Sequence, residues 1–229
     1  MSNISHDLKT PITAIKGYVE GIMDGVADTP KKMERYIKTI YNKANDMNRL
    51  INELTYYSGI DSNRIPYNFH RINVAEFFQD CVEDVGLDLE SKDIELNYSN
   101  LVDPDTRIIA DPEQLKKVIN NIIGNSIKYI DKPKGIINIR ILDEVDSIRV
   151  EIDDNGKGIA AKDLGSIFER FYRTDASRNS AMGGSGIGLS IVKKIIEDHG
   201  GYIWATSKEG EGTCLHFVIR KYREAEENE

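Results

Sequence analysis

Two runs of apolar side chains within the first 60 residues, each at alternating spacings of three and four, restrict the fold more than any other feature. The first run is Leu8, Ile12, Ile15, Val19 and Ile22, and the second is Ile37, Ile40, Ala44, Met47, Ile51 and Leu54. This spacing predicts two helices, at residues 3 to 24 and about 31 to 59, each with one apolar seam. Because two single seams cannot bury themselves, we expect an antiparallel hairpin that pairs with a second copy, as a homodimer through residues 1–60 with a four-helix bundle.

After a polar linker the pattern changes to short strands that alternate with helices. RINVAEFFQD predicts a strand entering a helix, IELNYS and TRIIA predict strands, and DPEQLKKVINNIIGNSIKYI predicts a long amphipathic helix that Asp111 opens. GIINIRILDEVDSIRVEIDD alternates apolar and polar residues, which is typical of a hairpin with one solvated face. A glycine-rich loop and helix at 183 to 199 and two closing strands complete a predicted two-layer α/β sandwich. We therefore expect a hairpin at 1–62, a linker at 63–71, a second domain at 72–222 and a disordered tail at 223–229.

Composition excludes several classes of protein. The formal net charge of −8 argues against broad affinity for nucleic acid or for an anionic membrane surface. Cys81 and Cys214 lie in apolar contexts without metal-ligand spacing, so we predict two buried thiols in a reducing compartment. The chain has no apolar run of the roughly 18 residues that a membrane span needs, and its start lacks the pattern of a signal peptide.

The predicted long helix carries two asparagines, Asn121 and Asn125, four residues apart and therefore on one face. Lys128 and Tyr129 follow them. Capping or a solvated helix face would account for asparagines in general, but this helix continues with apolar residues past them. Amide oxygens that bind magnesium beside a nucleotide would fit the same position.

A second cluster, DDNGKGI, follows a predicted strand. Gly156 and Gly158 would allow the backbone to approach a ligand closely, and Asp154 offers an acceptor that suits the exocyclic amine of adenine. An ordinary acidic turn, or a calcium loop that lacks most of its ligands, are the alternatives.

The third cluster is GGSGIGL, in which Gly183, Gly184, Gly186 and Gly188 precede an apolar helix. Free amides and the helix dipole at such a start favour an anion such as a phosphate chain. The spacing differs from the dinucleotide-binding pattern, since Leu189 occupies the place of its last glycine, and the chain has no P-loop.

A lone histidine, His6, lies between Ser5 and Asp7 near the start of the first predicted helix, with Pro11 in the second turn. The proline should bend or loosen the helix there and leave the imidazole accessible. A serine-hydrolase relay is excluded, because three consecutive helical side chains point in different directions. The other histidines, His70, His199 and His216, are interpreted as structural.

Five segments taken together resemble a known family. SHDLKTP, NIIGNSIKY, DDNGKGI, IFERFYR and GGSGIGL resemble, in order, the H, N, G1, F and G2 boxes of sensor histidine kinases of two-component systems. The resemblance extends over nearly the whole chain. It implies a HisKA-type dimerisation and histidine phosphotransfer hairpin, followed by an ATP-binding domain of the Hsp90, gyrase and MutL type.

The resemblance also implies the chemistry. The chain would use ATP and Mg²⁺ to phosphorylate itself on His6, and would pass the phosphoryl group to an aspartate of a response regulator receiver domain. Asp7 would act as general base, and Thr10 would position water for dephosphorylation of the regulator. Asn125 would bind Mg²⁺ with support from Asn121.

The remaining roles in ATP binding are carried over from the same boxes. Asp154 would accept from the adenine amine, Tyr129 would pack near the base, and Lys128 and Arg173 would meet phosphates. Gly184, Gly186 and Gly188 would shape a mobile lid. The other predicted ATP-binding residues are Gly156, Gly158, Ile159, Phe168, Arg170, Tyr172 and Leu189.

Three alternatives come from other functional classes. A non-signalling ATPase of the same superfamily would have a glutamate at the position of Asn121, a serine-directed kinase would lack the hairpin with His6, and a silent scaffold would have broken boxes. Asp7, Lys9 and Ser126 replace the family's commoner glutamate, arginine and alanine, which puts the rate in doubt more than the reaction. The resemblance further implies the cytoplasmic portion of a membrane-anchored bacterial sensor, whose membrane regions are absent from this chain.

Overall fold

The computed structural model describes residues 2–62, 66–174 and 186–223, apart from the side chains of residues 2–7, 60 and 61. The chain divides into two compact units, one of residues 1–64 with 170–187 and the other of residues 65–169 with 188–229. Of the predicted tail at 223–229, residues 224–229 lie outside the described residues. None of the described helices is long and apolar enough to cross a membrane.

The first unit is built on a helical hairpin, as the apolar seams predict. Helix α1 is Ser2–Met23 and continues through Pro11, and helix α2 is Pro30–Asp61. The chain reverses at Gly25, whose φ of 71° is a left-handed conformation that glycine adopts freely. Late in α1, the ring of Tyr18 meets that of Tyr36 edge to face at 5.0 Å. A shallow groove along the hairpin is lined by Ile12, Ile15, Lys16, Val19, Glu20, Met23 and Met47.

The second unit is the predicted two-layer sandwich. Its strands are β1 His70–Asn73, β2 Ile94–Asn100, β3 Arg107–Ala110, β4 Gly135–Asp143, β5 Ser147–Asp154, β6 Tyr202–Lys208 and β7 Gly212–Arg220. Its helices are α3 Val74–Glu90, α4 Pro112–Tyr129 and α5 Gly188–Asp198. The main sheet has the order β2-β4-β5-β7-β6, with β2 parallel to β4 and the other pairs antiparallel, and β1 pairs with β3.

The sheet has one face against the helices and one face open, which confirms the alternation predicted for β4 and β5. On β5, Ile148, Val150 and Ile152 are buried, and the residues between them are only partly covered. The core under α4 and α5 is rich in isoleucine, a residue that fits both strands and tightly packed helix faces. Its fully buried members include Ile122, Ile139, Ile141, Ile195, Ile196 and Phe217.

The start of α4 is held by several polar contacts, which sets the position of the long helix. Asp111 caps it by accepting the backbone N–H of Gln114 at 3.1 Å, and Pro112 occupies the first turn. The same carboxylate accepts the N–H of Asn68 at 2.9 Å. The N–H of Asp111 donates to Nε2 of buried His199 at 3.0 Å, so the structural interpretation of His199 is consistent with its contacts.

Candidate functional site

A buried carboxylate lies where β5 ends. Asp154 Oδ2 accepts the hydroxyl of Ser126 on α4 at 2.8 Å, and Oδ1 accepts the N–H of Gly156 at 2.9 Å. Burial raises the pKa of Asp154, and these hydrogen bonds oppose the shift by stabilising the charged form. A carboxylate oxygen can accept more than one donor, so these two contacts orient Asp154 and leave it able to accept from a ligand.

The turn after Asp154 is clamped between α4 and the β6–β7 hairpin. A Cβ on Gly156 would lie 2.7 Å from the carbonyl oxygen of Tyr129, and one on Gly158 would lie 2.1 Å from the carbonyl oxygen of Lys208. Gly158 also has a φ of 70°. Lys157 N–H donates to the carbonyl of Tyr129 at 3.0 Å. Both glycines are therefore required by close backbone contacts, and the turn is held rigidly beside the end of α4.

The asparagines of α4 lie at the margin of its buried face. Asn121 and Asn125 are half-buried, whereas Asn120 is exposed. The side-chain amide of Asn121 donates to the carbonyl of Lys117 at 2.8 Å, which fixes its orientation. Its oxygen lies 3.0 Å from the position that a Cβ on Gly188 would occupy. The amide oxygen thus faces the first residue of α5, and a larger residue at 188 would crowd it.

Helix α5 begins at Gly188, and its first backbone N–H groups have no partner within the helix, as in every helix start. The first turn, which the structure describes completely, carries no acidic residue. Leu189 is half-buried and Ser190 is buried. This end of α5 lies beside the side-chain oxygen of Asn121. A helix start favours an anion, and an amide oxygen favours a cation. The two preferences therefore meet at one place in the sandwich.

Three further predicted residues lie around this turn. The ammonium of Lys128 lies 4.9 Å from the centre of the Tyr129 ring, and both residues are half-buried at the end of α4. Ile159 donates its N–H to the hydroxyl of Ser207 at 2.8 Å. The second unit thus brings together the predicted residues of α4, of the turn at 154–159 and of the start of α5, and Phe168 lies half-buried in the same unit.

The segment at 170–187 is grouped with the helical hairpin. Its described residues form a local loop, in which the N–H of Phe171 donates to the carbonyl of Gly186 at 2.9 Å. Gly186 has a φ of 67°, and a Cβ there would lie 2.8 Å from the carbonyl oxygen of Tyr172. Arg170 is exposed, whereas Tyr172 and Arg173 are half-buried. Gly184 lies outside the described residues.

The predicted phosphoacceptor region lies on the first helix. His6 and Asp7 are helical residues of α1, and their side chains are outside the described part of the structure. Thr10 is an exposed residue of the same helix, one turn after His6.

Sequence reasoning missed the residues that support the carboxylate and the turn. In the sequence, Ser126 differs from the resembled pattern at one position and indicates no contact, yet its hydroxyl donates to Asp154. Asn155 joins the turn to the preceding strand, since its Oδ1 accepts the N–H of Ile136 and its Nδ2 donates to the carbonyl of Lys134, both at 2.9 Å. The signal that could have identified Ser126 is a serine among the buried residues of an otherwise apolar helix face. The role of Ser207 depends on tertiary contacts that no local pattern predicts.

Two family models match the chain. Residues 1–63 match the His Kinase A phospho-acceptor domain, and residues 110–223 match the ATPase domain described as histidine kinase-, DNA gyrase B- and HSP90-like. The two matches come in the order that the sequence predicts.

Curated relatives agree with these models. Sensor histidine kinase WalK of Bacillus subtilis is 33% identical over 232 residues, which cover 100% of this chain and 37% of that protein. Sensor protein SrrB of Staphylococcus aureus is 32% identical over 228 residues, covering 96% of this chain and 37% of that protein. The chain therefore spans little more than a third of the length of these relatives.

Solved structures share the fold. Histidine kinase ThkA in complex with response regulator protein TrrA superposes with a TM-score of 0.75 at 26% identity, over 96% of this chain and 60% of that chain. Acinetobacter baumannii histidine kinase AdeS superposes with a TM-score of 0.72 at 22% identity, over 94% of this chain and 97% of that chain. The predicted fold class is confirmed.

Proposed function

The chain belongs to the histidine kinase family, and on that premise we propose that it uses ATP to phosphorylate itself on His6 and passes the phosphoryl group to an aspartate of a response regulator. One observation carries the proposal. A phospho-acceptor hairpin and an ATPase-type sandwich occur in one chain. In the sandwich, the buried carboxylate of Asp154 is oriented by a hydrogen bond and lies beside a turn in which close backbone contacts require Gly156 and Gly158.

We assign the base of the nucleotide to the neighbourhood of Asp154. The adenine amine would donate to this carboxylate, whose direction is set by Ser126 and by the N–H of Gly156. Tyr129 would cover the base, and Lys128 would turn its ammonium from the Tyr129 ring toward phosphate. The start of α5 would lie against phosphate oxygens, because the dipole of a helix favours an anion at its N-terminal end.

The α4 face also fits Mg²⁺, the ion that the resemblance implies. The donors available on this face are the amide oxygens of Asn121 and Asn125, and oxygen is the ligand atom that Mg²⁺ prefers. The oxygen of Asn121 is already turned toward Gly188 because its amide nitrogen donates to Lys117. Bound there, the ion would spread the charge of the transferring phosphoryl group.

We propose that the neutral imidazole of His6 attacks the γ-phosphorus. A nitrogen–phosphorus bond forms, the bond from the γ-phosphorus to the bridging oxygen breaks, and ADP leaves with that electron pair. Asp7 would hydrogen-bond the ring and take up its proton. In the second step the phosphoryl group moves from the His6 nitrogen to a carboxylate oxygen of the regulator, which leaves the histidine neutral again after it regains its proton.

The residue at position 121 favours transfer to the protein over hydrolysis. A hydrolytic member of the superfamily would place a glutamate there to activate water, and this chain has an amide that cannot accept a proton at neutral pH. By the same resemblance, Arg173 would meet phosphates and the glycines at 184, 186 and 188 would shape a lid, and Phe168, Arg170 and Tyr172 would contribute to ATP binding. Gly156, Gly158, Ile159 and Leu189 would shape the walls of the pocket.

Two partners follow from the same proposal. We propose that residues 1–60 form a homodimer, because the seams of α1 and α2 leave apolar side chains uncovered within the described hairpin. We propose a response regulator receiver domain as the second partner, supported by the solved complex of ThkA with TrrA. Both the kinase reaction and a regulator phosphatase activity would use the first turns of α1, which carry His6 and Thr10.

We further propose that the chain is the cytoplasmic catalytic portion of a membrane-anchored sensor. The relatives are named sensors, and each is much longer than the matched region. Within the chain, we propose the hairpin at 1–62, the linker at 63–71, the catalytic domain at 72–222 and the tail at 223–229.

The experiment that tests the proposed reaction is incubation of the chain with γ-labelled ATP and Mg²⁺, followed by treatment of the protein with acid or base. We expect protein-bound label that acid removes and base leaves, because a phosphorus–nitrogen bond to histidine is labile in acid. Label that survives acid and is lost in base would indicate a serine-directed kinase. Release of phosphate without protein-bound label would indicate an ATPase.

A further inference from the structure

The open face of the main sheet carries a cluster that the proposed kinase reaction does not use. Glu151 on β5 lies directly opposite His216 on β7 in the strand register, and Cys214 is two residues before His216. Since residues two apart on a strand share a face, all three side chains project from the same side of the sheet. Their ligand atoms lie within 4.8 Å of one another.

We propose that Glu151, Cys214 and His216 form a binding site for a borderline-soft divalent transition-metal ion such as Zn²⁺. Thiolate, imidazole and carboxylate are the ligands that Zn²⁺ uses, and three protein ligands with one water complete its tetrahedron. Neighbouring ligand atoms around Zn²⁺ are roughly 3.3 to 3.7 Å apart, given its bond lengths. Here His216 Nδ1 lies 3.3 Å from Glu151 Oε1 and 3.9 Å from Cys214 Sγ.

The surroundings of His216 hold its ring in the orientation that this site needs. The ring stacks on Trp204 with centroids 4.9 Å apart and planes 8° from parallel. Its Nε2 lies 2.8 Å from the hydroxyl oxygen of Thr206, which leaves Nδ1 facing the carboxylate and the thiol. A second partner on the remote nitrogen is the usual support of a metal-binding histidine, because it fixes the tautomer and the ring plane.

The protons of the site balance without any further reactant. A cysteine binds Zn²⁺ as the thiolate and a histidine binds it through an unprotonated ring nitrogen. On binding, the thiol proton leaves to solvent, and the ring proton resides on Nε2 and is donated to Thr206. One proton is released for each ion, and affinity rises with pH.

Charged neighbours limit the affinity and orient the carboxylate. Arg140 donates Nε to Glu151 Oε2 at 3.0 Å, with its Nη2 also 3.0 Å from that oxygen, and Arg149 Nε lies 3.4 Å from Oε1. These cations oppose a divalent ion. Asp153, which lies opposite Cys214 in the register and accepts the amide of Asn138 at 3.1 Å, offsets part of that charge. Because Arg140 holds Oε2, Oε1 remains directed at His216.

The residues also have a simpler explanation, in which the same contacts form a polar network that needs no ion. In that case Cys214 would be a buried thiol and His216 a structural residue, as the sequence predicts. The two explanations differ in whether the thiol becomes a ligand, and Co²⁺ reports this directly because a cobalt–thiolate bond gives a charge-transfer absorption band.

The test uses the full chain, reduced and kept free of oxygen. Co²⁺ is titrated while the near-ultraviolet spectrum is recorded, and Zn²⁺ affinity is measured by competition with a chromophoric chelator. The variants are Cys214→Ser and His216→Gln, and the matched control is Cys81→Ser, which removes the other buried thiol, on α3. Circular dichroism verifies that each variant is folded.

We expect a thiolate-to-cobalt band in the wild type and in Cys81→Ser, displaced by Zn²⁺. Cys214→Ser should lose the band, and both site variants should bind Zn²⁺ more weakly by a factor of about ten or more. The absence of a band in the wild type would overturn the proposal. So would a band that persists in Cys214→Ser, or a Zn²⁺ affinity equal in all four proteins. None of these readouts depends on kinase activity.

Discussion

The sandwich buries its large apolar side chains, whereas the helical hairpin leaves many of its own exposed, although both are rich in isoleucine. In the sandwich, Ile122 and Phe217 are 0% exposed. In the hairpin, Ile37 is 55% exposed, Ile12 is 50% exposed and Met23 is 79% exposed. Apolar surface removed from water stabilises a fold by roughly 25 cal/mol per Å². A partner that covers the apolar seam of the hairpin would therefore add stability that the hairpin lacks alone. The sandwich completes its core within one chain, and the hairpin does not.

The polar groups show the same contrast. The sandwich buries several of them with named partners, such as Asp154 with Ser126 and Asp111 with His199. Such groups are retained where they bind or orient something, because burying them has a cost. The hairpin instead presents its polar residues on exposed helix faces. We infer that recognition of the nucleotide belongs to the sandwich, and that association and phosphoryl acceptance belong to the hairpin.

The largest expected effect comes from a charge placed on the hairpin seam. Ile37→Asp puts a carboxylate into the predicted interface of both copies, and we expect the dimer to weaken by about a hundredfold or more because two unpaired charges would be buried. Sedimentation measures the association. The matched control is Lys38→Asp, an exposed position next to the seam. A dimer of unchanged strength in Ile37→Asp would contradict the assignment, and nucleotide affinity should stay the same in both.

The next effect concerns the sandwich alone. Asn125→Ala should lower the affinity for ATP in the presence of Mg²⁺ by about tenfold or more, since it removes an oxygen ligand and leaves the phosphates less neutralised. The unfolding midpoint of the nucleotide-free protein should change little. Asn120→Ala, which alters an exposed asparagine of the same helix, should bind ATP normally. A large fall of the midpoint in Asn125→Ala would instead support a structural role.

Asp154→Asn tests the buried carboxylate in two ways. Affinity for ADP should fall by about tenfold, because a charged acceptor is replaced by an amide.

The same variant tests the pKa of the carboxylate. The folded pKa of Asp154 is raised above that of the unfolded chain, so Asp154 contributes stability at low pH that is lost as the pH rises through the folded pKa. The free energy of unfolding of the wild type minus that of the variant should therefore decrease as the pH rises from about 4, the range of an unfolded aspartate, through the higher folded pKa. Urea titrations at several pH values measure it, and an increase would show that the pKa shift has the opposite sign.

The smallest effect is expected at Thr10. If its hydroxyl positions the water that attacks the phosphorylated regulator, Thr10→Ala should keep autophosphorylation and lengthen the lifetime of the phosphorylated regulator a few-fold in the presence of ADP. Thr13→Ala is the matched control, since the Thr13 hydroxyl donates to the carbonyl of Lys9 within the helix. Equal lifetimes in all three proteins would discard the role. Parallel loss of autophosphorylation would show that Thr10 supports the helix instead.

Periodicity and local signals predicted most of the fold. Patterns among neighbouring residues predicted the seams of α1 and α2 and the alternation in β4 and β5. They also predicted the start of α4 at Asp111 and Pro112. The predicted bend at Pro11 did not interrupt α1, which is one continuous helix from Ser2 to Met23. Tertiary packing maintains a helix that local propensity would weaken.

The supporting contacts of the site could not be predicted in the same way. Ser126 and Asp154 are 28 residues apart in the chain, and their hydrogen bond depends on how α4 packs on β5. The cluster of Glu151, Cys214 and His216 depends on the register of two strands separated by more than 50 residues in sequence. The sequence predicts only a structural role for His216, because its partners come close to it only in the folded sheet.

The measurement that tests the central division between the two units most directly uses His6→Gln with γ-labelled ATP. We expect no protein-bound label in the variant and an affinity for ATP equal to that of the wild type, because the proposed acceptor lies on the hairpin and the proposed nucleotide site lies in the sandwich. The matched control is His70→Gln, which changes an exposed histidine of β1 and should label normally. Comparable labelling of His6→Gln would contradict the assignment of the acceptor, and loss of ATP affinity in that variant would contradict the separation of the two roles.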